Sequence, residues 1–481
     1  MATQRIIFGE WLPDQAGLSG ALTNAKNVVS QAIGYGPLPS AVNFSQSASE
    51  NLQAIFAGKQ PDGVVKLFAS GRTKIYSVSG VGALTDVSGT TYTTSATERF
   101  RFTQFGDVIL ATNNSEKVQA WTLGSSYAFA NLSATAPVAK YITVVRDFVV
   151  VANVYEGSAQ NVYRVRWSAL NDETDWTVSQ ATQSDYQDLA DGGQIMGIRG
   201  GEFGIVLLER SIVRMSYIGT PFVFQFDNIS RGKGCSVSGS IAQYQGLTFF
   251  LSEDGFYVCD GQSVQSIGGE KVDRWFLNDA SENDYPSMSA AIDPARKLVI
   301  WSYKDKFAVG KLIIYNFMTK KWTYGVSQAD YISDASTASS TLEELDSLSS
   351  SIDSLGTPFD SSLFAGGRYF LGGTSGTKVI TYTGQPMGGV IETGDIQAGT
   401  SSMISLARPQ IDNGSANVSV VSRRLLNEVV DFSTQTPVAA DSENRAGIRS
   451  LGQYHRIRVE PTGNWKTTIA VDIDIAQAGN R

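Results

Sequence analysis

Apolar residues along this chain recur in short runs of four to six, each ended by a polar turn and followed by a second strand-like run. The second runs are rich in Tyr, Trp, Val and Ile, residues that suit a pleated, half-buried surface. Seven such strand–turn–strand units can be read, at 64–80, 106–123, 146–170, 202–219, 245–261, 296–323 and 368–384. Most steps between them run roughly 40 to 57 residues, room for about four short strands, which is one blade of a β-propeller. The longest step is the last.

The first strand of a unit is almost continuously hydrophobic, as in Phe148-Val149-Val150-Val151 and Ile205-Val206-Leu207-Leu208. Strands of this kind are buried on both faces, as those between neighbouring blades are. The following strands alternate, with Arg164 and Arg166 interleaved by Tyr163, Val165 and Trp167, and suit the outer part of a blade. The expected fold is all-β: a propeller of six or seven blades over residues 61–384, with an extended N-terminal arm and a separate C-terminal β-domain.

The arm, residues 1–60, is punctuated by Gly, Pro and Asn and has no paired-strand rhythm. Trp11, Leu12 and Pro13 make an apolar patch in it, placed either to contact a neighbouring subunit or to close the propeller core. Residues 327–362 contain no Lys or Arg and read as an acidic insertion. Within it Thr341 and Glu344 have capping-box spacing, and Leu342, Leu345, Leu348, Ile352 and Leu355 follow at helical intervals. Such a helix packs either on its own domain or on another subunit. Residues 385–481 carry strands at 417–426, 453–461 and 466–475 and read as a further β-unit of ordinary domain size.

Composition narrows the class. Charged residues are only 17% of the 481 and glycines number 47, a balance that favours many short strands and turns. The net charge of −8 opposes a nucleic-acid clamp, which needs clustered cations. Residues 401–481 hold nine basic against eight acidic side chains, leaving 29 against 38 for residues 1–400, so the acidity lies in the long first part. No apolar stretch reaches the ~20 residues of a membrane helix, and the start MATQRIIFGEWLPDQ lacks a signal-peptide run, so a soluble chain is expected.

Candidate chemistry is sparse. His455 is the only histidine and lies in a strand, where a structural role is the commoner one; without partners it builds neither a zinc site nor a histidine triad. Cys235 and Cys259 are the only cysteines and are expected as two buried free thiols. Gly310-Lys311 and Gly232-Lys233 lack phosphate-loop spacing. Asp472 and Asp474 share a strand face but lack the rest of a calcium loop. Ser252-Glu253-Asp254-Gly255 has only a faint likeness to a sialidase Asp-box, its spacing is wrong, and it occurs once; a hairpin turn with positive φ from Asp254-Gly255 is the better reading. Paired carboxylates, as in a propeller glycosidase, are the one catalytic option left open. No catalytic, cofactor or metal residues are assigned, and no enzyme is expected.

The order of motifs resembles the tail nozzle, or packaged-DNA stabilisation, proteins of short-tailed bacteriophages. The resemblance rests on Gly9-Glu10-Trp11-Leu12-Pro13-Asp14-Gln15, then Ala25-Lys26-Asn27-Val28-Val29 and Gly34-Tyr35-Gly36-Pro37-Leu38-Pro39. Ser240-Ile241-Ala242 through Leu251 to Tyr257 with Asp260-Gly261 follows, then Asp293 with Val299 to Tyr303, and Ile314-Tyr315-Asn316 with Trp322. Thr341 to Asp346 with Ser351-Ile352-Asp353, and Ile391-Glu392-Thr393 before Arg408-Pro409, complete a series that covers most of the chain. The resemblance implies a virion tail protein made in the host cytoplasm and assembled as a homo-hexameric ring beneath the portal and its adaptor. Other tail proteins (fibre or tailspike, or a tail needle) would be neighbours, and duplex DNA would pass through without sequence-specific binding. Trp11, Leu12, Pro13, Leu345, Leu348 and Ile352 are the candidate assembly contacts. A receptor-binding propeller is the alternative.

Overall fold

Alternate side chains of one apolar strand face two different blades, and this period of two organises the molecule. In the strand Phe148–Glu156, Phe148, Val150 and Ala152 pack against the following blade, while Val149, Val151 and Val154 pack against the preceding one. Val206 and Leu208 likewise pack toward one neighbour and Ile205 and Leu207 toward the other. A strand buried on both faces must be apolar at successive positions, which explains the uninterrupted runs.

The computed structural model describes residues 2–157, 159–339, 367 and 369–477. Among these, six four-stranded sheets stand alone as blades. A further four strands, Ser289–Asp293, Leu298–Lys304, Gly310–Asn316 and Lys321–Val326, take the sixth of seven places round the ring and run on into a fourteen-stranded sheet. The chain is a β-propeller with an additional C-terminal β-sheet region. In chain order the innermost strands are Ala54–Lys59, Arg101–Phe105, Val138–Val145, Ile195–Arg199, Ala242–Tyr244, Ser289–Asp293 and Tyr331–Ser336. Each pair of adjacent blades encloses its own apolar cluster, and the ring closes where Ala335, Phe370 and Val379 of the last blade meet Ile55, Leu67 and Ala69 of the first.

Two boundaries differ from those expected. Ala54–Lys59 is the inner strand of the first blade, so the arm ends before it. Tyr331–Ser336 is the inner strand of the last blade, so the acidic insertion begins after it. The thirteen described residues from 327 to 339 therefore belong to the propeller, whereas the expected helix with Leu345, Leu348 and Ile352 lies outside the described residues.

The arm also does more than lie over a surface. Val42–Asn43 pairs with Thr381 and Ile380 as the fourth strand of the last blade, so the N-terminal segment closes the ring. Asn24–Lys26 pairs with Val390–Glu392 on one side and meets Tyr324 of the sixth blade on the other. This three-residue strand joins the propeller to the C-terminal strands Ile396–Asp412, Ser415–Arg423, Ala446–Thr462 and Thr467–Gln477. The C-terminal region is thus not separate: one core runs from Phe256, Trp301 and Trp322 in the blades through Phe8 and Trp11 in the arm to Ile391, Val459 and Val471. Sequence patterning missed the join because two- and three-residue strands carry no readable period.

Candidate functional site

Two places bring functional-looking side chains together: the latch made by the opening motif, and the axial cavity.

The latch sits where the fifth blade passes to the sixth. The short helix Asp273–Asp279 has no capping side chain of its own at Val272, so its first N–H groups need partners. Asp14 supplies them from the arm, accepting from the N–H groups of Arg274 at 2.9 Å and Trp275 at 2.7 Å. Glu10 pairs with Lys271 Nζ at 2.6 Å. Between them Trp11, 1% exposed, packs edge-on to Trp275 and against Tyr324, both at 5.0 Å between ring centroids. Trp11 is therefore core and not free surface. Leu12 and Pro13 are half-buried, Pro13 beside a shallow depression with Arg274 and Asn278.

Beside the latch, Asp273 is buried and accepts a hydrogen bond from the Phe256 N–H at 3.1 Å. Burial raises its carboxyl to about 7, and nearby Asp14 and Asp254 add to the rise. Gly255, with φ +141°, leaves the space it occupies: a Cβ there would lie 2.1 Å from the Asp273 carboxyl. The two-residue hairpin turn is Glu253–Asp254, one position earlier than expected, and Gly255 supplies the positive φ after it.

The axial cavity is enclosed by all seven inner strands and measures about 460 Å³. Its charged lining is Arg99, Arg101, Arg199 and Asp334. The arginines hydrogen-bond main-chain carbonyls: Arg99 to Met288 at 3.0 Å, Arg101 to Lys140 at 3.2 Å, Arg199 to Ile241 at 2.7 Å. Gly239 permits the first, since a Cβ there would lie 1.9 Å from the Met288 oxygen and 2.8 Å from Arg99 Nη2. Arg101 lies over the Tyr141 ring at 4.5 Å and has Glu98 at 3.6 Å, while Arg99 lies over Tyr331 at 5.2 Å. Burial, then repulsion from Arg101, lowers Arg99 to about 10 and shifts Arg199 the same way. Asp334 is exposed to the cavity, yet burial among the inner strands raises its carboxyl above the usual range.

Nothing in the sequence reading singled out these arginines. Arg99-Phe100-Arg101-Phe102 alternates charge with aromatic where the chain enters the inner strand Arg101–Phe105 and was the available signal; Arg199 is a hundred residues away and joins them only through ring closure.

The other candidates have structural partners. His455 is fully buried, with Nε2 2.7 Å from Ser402 Oγ and Nδ1 2.6 Å from Ser422 Oγ, and burial lowers its pKa. Cys235 and Cys259 are buried free thiols, Cys235 pushed up to about 12 by burial. Asp472 pairs with Arg5 at 2.7 Å and Asp474 accepts from Thr3 Oγ1 at 2.6 Å, so both staple the first strand, Ala2–Ile7, to the last. No group of three or more metal-ligating side chains occurs among the described residues, and no described helix is long and apolar enough to cross a membrane.

No family model and no curated protein matches the chain. Among solved structures it is similar to the WD40 domain of Pan2 from Neurospora crassa, with TM-score 0.39 and 8% identity, covering 74% of this chain and 98% of that one. A chain of a mitotic checkpoint complex gives TM-score 0.38 at 8% identity, covering 64% and 92%. A puromycin hydrolase mutant gives TM-score 0.38 at 11% identity, covering 66% and 55%. These likenesses concern the propeller fold alone.

Proposed function

We propose that this chain is a structural subunit of a short phage tail, assembling as the six-membered nozzle ring that continues the DNA channel, retains packaged DNA and releases it on ejection. The observation that carries the reading is the ordered series of nozzle-like motifs along most of the chain. Their places in the fold add physical support: the opening motif latches arm to blades, Asn24–Lys26 splices propeller to C-terminal sheet, and Ile391-Glu392 receives that splice. Motifs that serve as joints suit a part selected for rigidity.

The axial cavity is not the proposed conduit. Its volume of about 460 Å³ is that of a sphere about 10 Å across, narrower than the ~12 Å major groove of duplex DNA. A DNA passage therefore has to form between subunits. Six copies at −8 each carry 48 net negative charges, and any acidity lining that passage repels DNA and keeps it mobile.

A receptor-binding propeller finds less support. Tyr127 and Phe222 are exposed on turns joining third to fourth strands, while Phe307 is exposed on a turn joining second to third, which lies on the opposite face. Among the described residues no single rim gathers the exposed aromatics. A paired-carboxylate glycosidase needs a second acid, and Asp334 is the one carboxylate among the described residues lining the cavity.

Equilibrium DNA binding tests the conduit reading. The assembled ring should bind duplex DNA weakly at low salt; tight low-salt binding would contradict a non-adhesive channel.

A further inference from the structure

We propose that the axial cavity is a binding site for a compact, multiply charged phosphate-type oxyanion, held chiefly by Arg99 and Arg199. The inference goes beyond the tail reading and does not depend on it.

The cavity inverts the charge of its protein. The chain carries −8 overall, yet the charged groups lining this enclosure are three guanidiniums and one carboxylate. Among the described residues Arg99 and Arg199 have no carboxylate within ion-pair distance, whereas Arg101 has Glu98. A guanidinium offers five N–H donors in a planar fork matched to phosphate oxygens. Arg99 directs one hydrogen bond to Met288, and Arg199 directs its two to Ile241 and, at 3.5 Å, to Ile198. The remaining donors have no protein acceptor among the described residues.

Among the described residues three guanidiniums gathered in one cavity outnumber the single carboxylate, Asp334, that lines it, and this excess of like charge opposes folding. An anion between them reverses the sign of the interaction and fills the empty donors with charge-assisted hydrogen bonds. A volume of about 460 Å³ lies in the range of small-ligand pockets, so it takes inorganic phosphate, pyrophosphate or a nucleoside monophosphate but no polymer duplex. The planar, forked donors favour a phosphate group over chloride, which accepts from one point.

Isothermal titration calorimetry on the full chain, at constant ionic strength set with sodium chloride, tests the proposal. Inorganic phosphate, pyrophosphate and adenosine monophosphate are titrated in turn. The expected result is saturable binding of one ligand per chain by at least one of them. Tighter binding of the nucleotide identifies a phosphate ester as the ligand, and equal or tighter binding of the inorganic ions identifies the free oxyanion. Absence of saturable heat with all three overturns the proposal.

Arg199→Gln should weaken binding at least about tenfold, while Arg210→Gln on the exterior leaves it unchanged. Gln53→Glu is isosteric and places a carboxylate in the cavity wall, so it should abolish binding while raising the melting temperature in chloride alone. Undiminished binding in Gln53→Glu sinks the placement even where Arg199→Gln fails to fold.

Discussion

At the scale of single residues, two buried titratable groups give opposite pH signatures. Asp273 is raised to about 7 by burial, against about 3.9 for an unfolded aspartate. Between those values the unfolded chain has lost its proton while the folded chain keeps it. Stability therefore falls as pH rises from about 4 to about 7 and is level above. Asp273→Asn removes the penalty: it should leave stability nearly unchanged near pH 4 and add up to about 4 kcal/mol near pH 8. Urea melts of both proteins at the two pH values check this, and an equal effect at both would contradict it. His455 has the other sign. Burial lowers its pKa, so its contribution is complete above about 6.5 and is lost as pH falls through the lower folded value. As the only histidine, it gives a single imidazole signal in an NMR titration. The midpoint should lie below 6.5.

Elements explain what could and could not be read beforehand. The strand Ile205-Val206-Leu207-Leu208 was legible because burial on two faces writes itself as an apolar run. Val42–Asn43, which closes the ring, was not, since two exposed residues hold their place through main-chain pairing with Ile380 and Thr381. Trp11 was legible as apolar, but its destination depends on a helix some 260 residues later in the chain, and no local pattern encodes that. Trp11→Ala should cost about 3–5 kcal/mol, as large aromatic truncations in cores do, measured by denaturant melts of the full chain. A cost below 1 kcal/mol would show that the indole is not core. For the same reason, removing residues 1–15 takes away Phe8, Trp11 and the Asp14 cap together, so truncation should lower the melting temperature as well as affect assembly. A readout of assembly alone cannot separate the two; Pro13→Ser, half-buried at the surface, is the variant that addresses contact with less damage.

For the whole molecule, the decisive feature is continuity. A single core and a single fourteen-stranded sheet join the sixth blade, the arm and the C-terminal strands. Propeller and C-terminal region should accordingly unfold in one transition, seen as coincident loss of tryptophan fluorescence and far-ultraviolet dichroism; two separated transitions would contradict the continuity. Such a body suits a load-bearing ring segment whose passage lies between copies. The most direct test of that claim is electron microscopy of the purified protein, alone and bound to a short phage tail. The account predicts a six-fold ring at the distal end of the tail tube, with the propellers arranged round a shared axial opening. A monomer bound to the side of the tail as an appendage would contradict it.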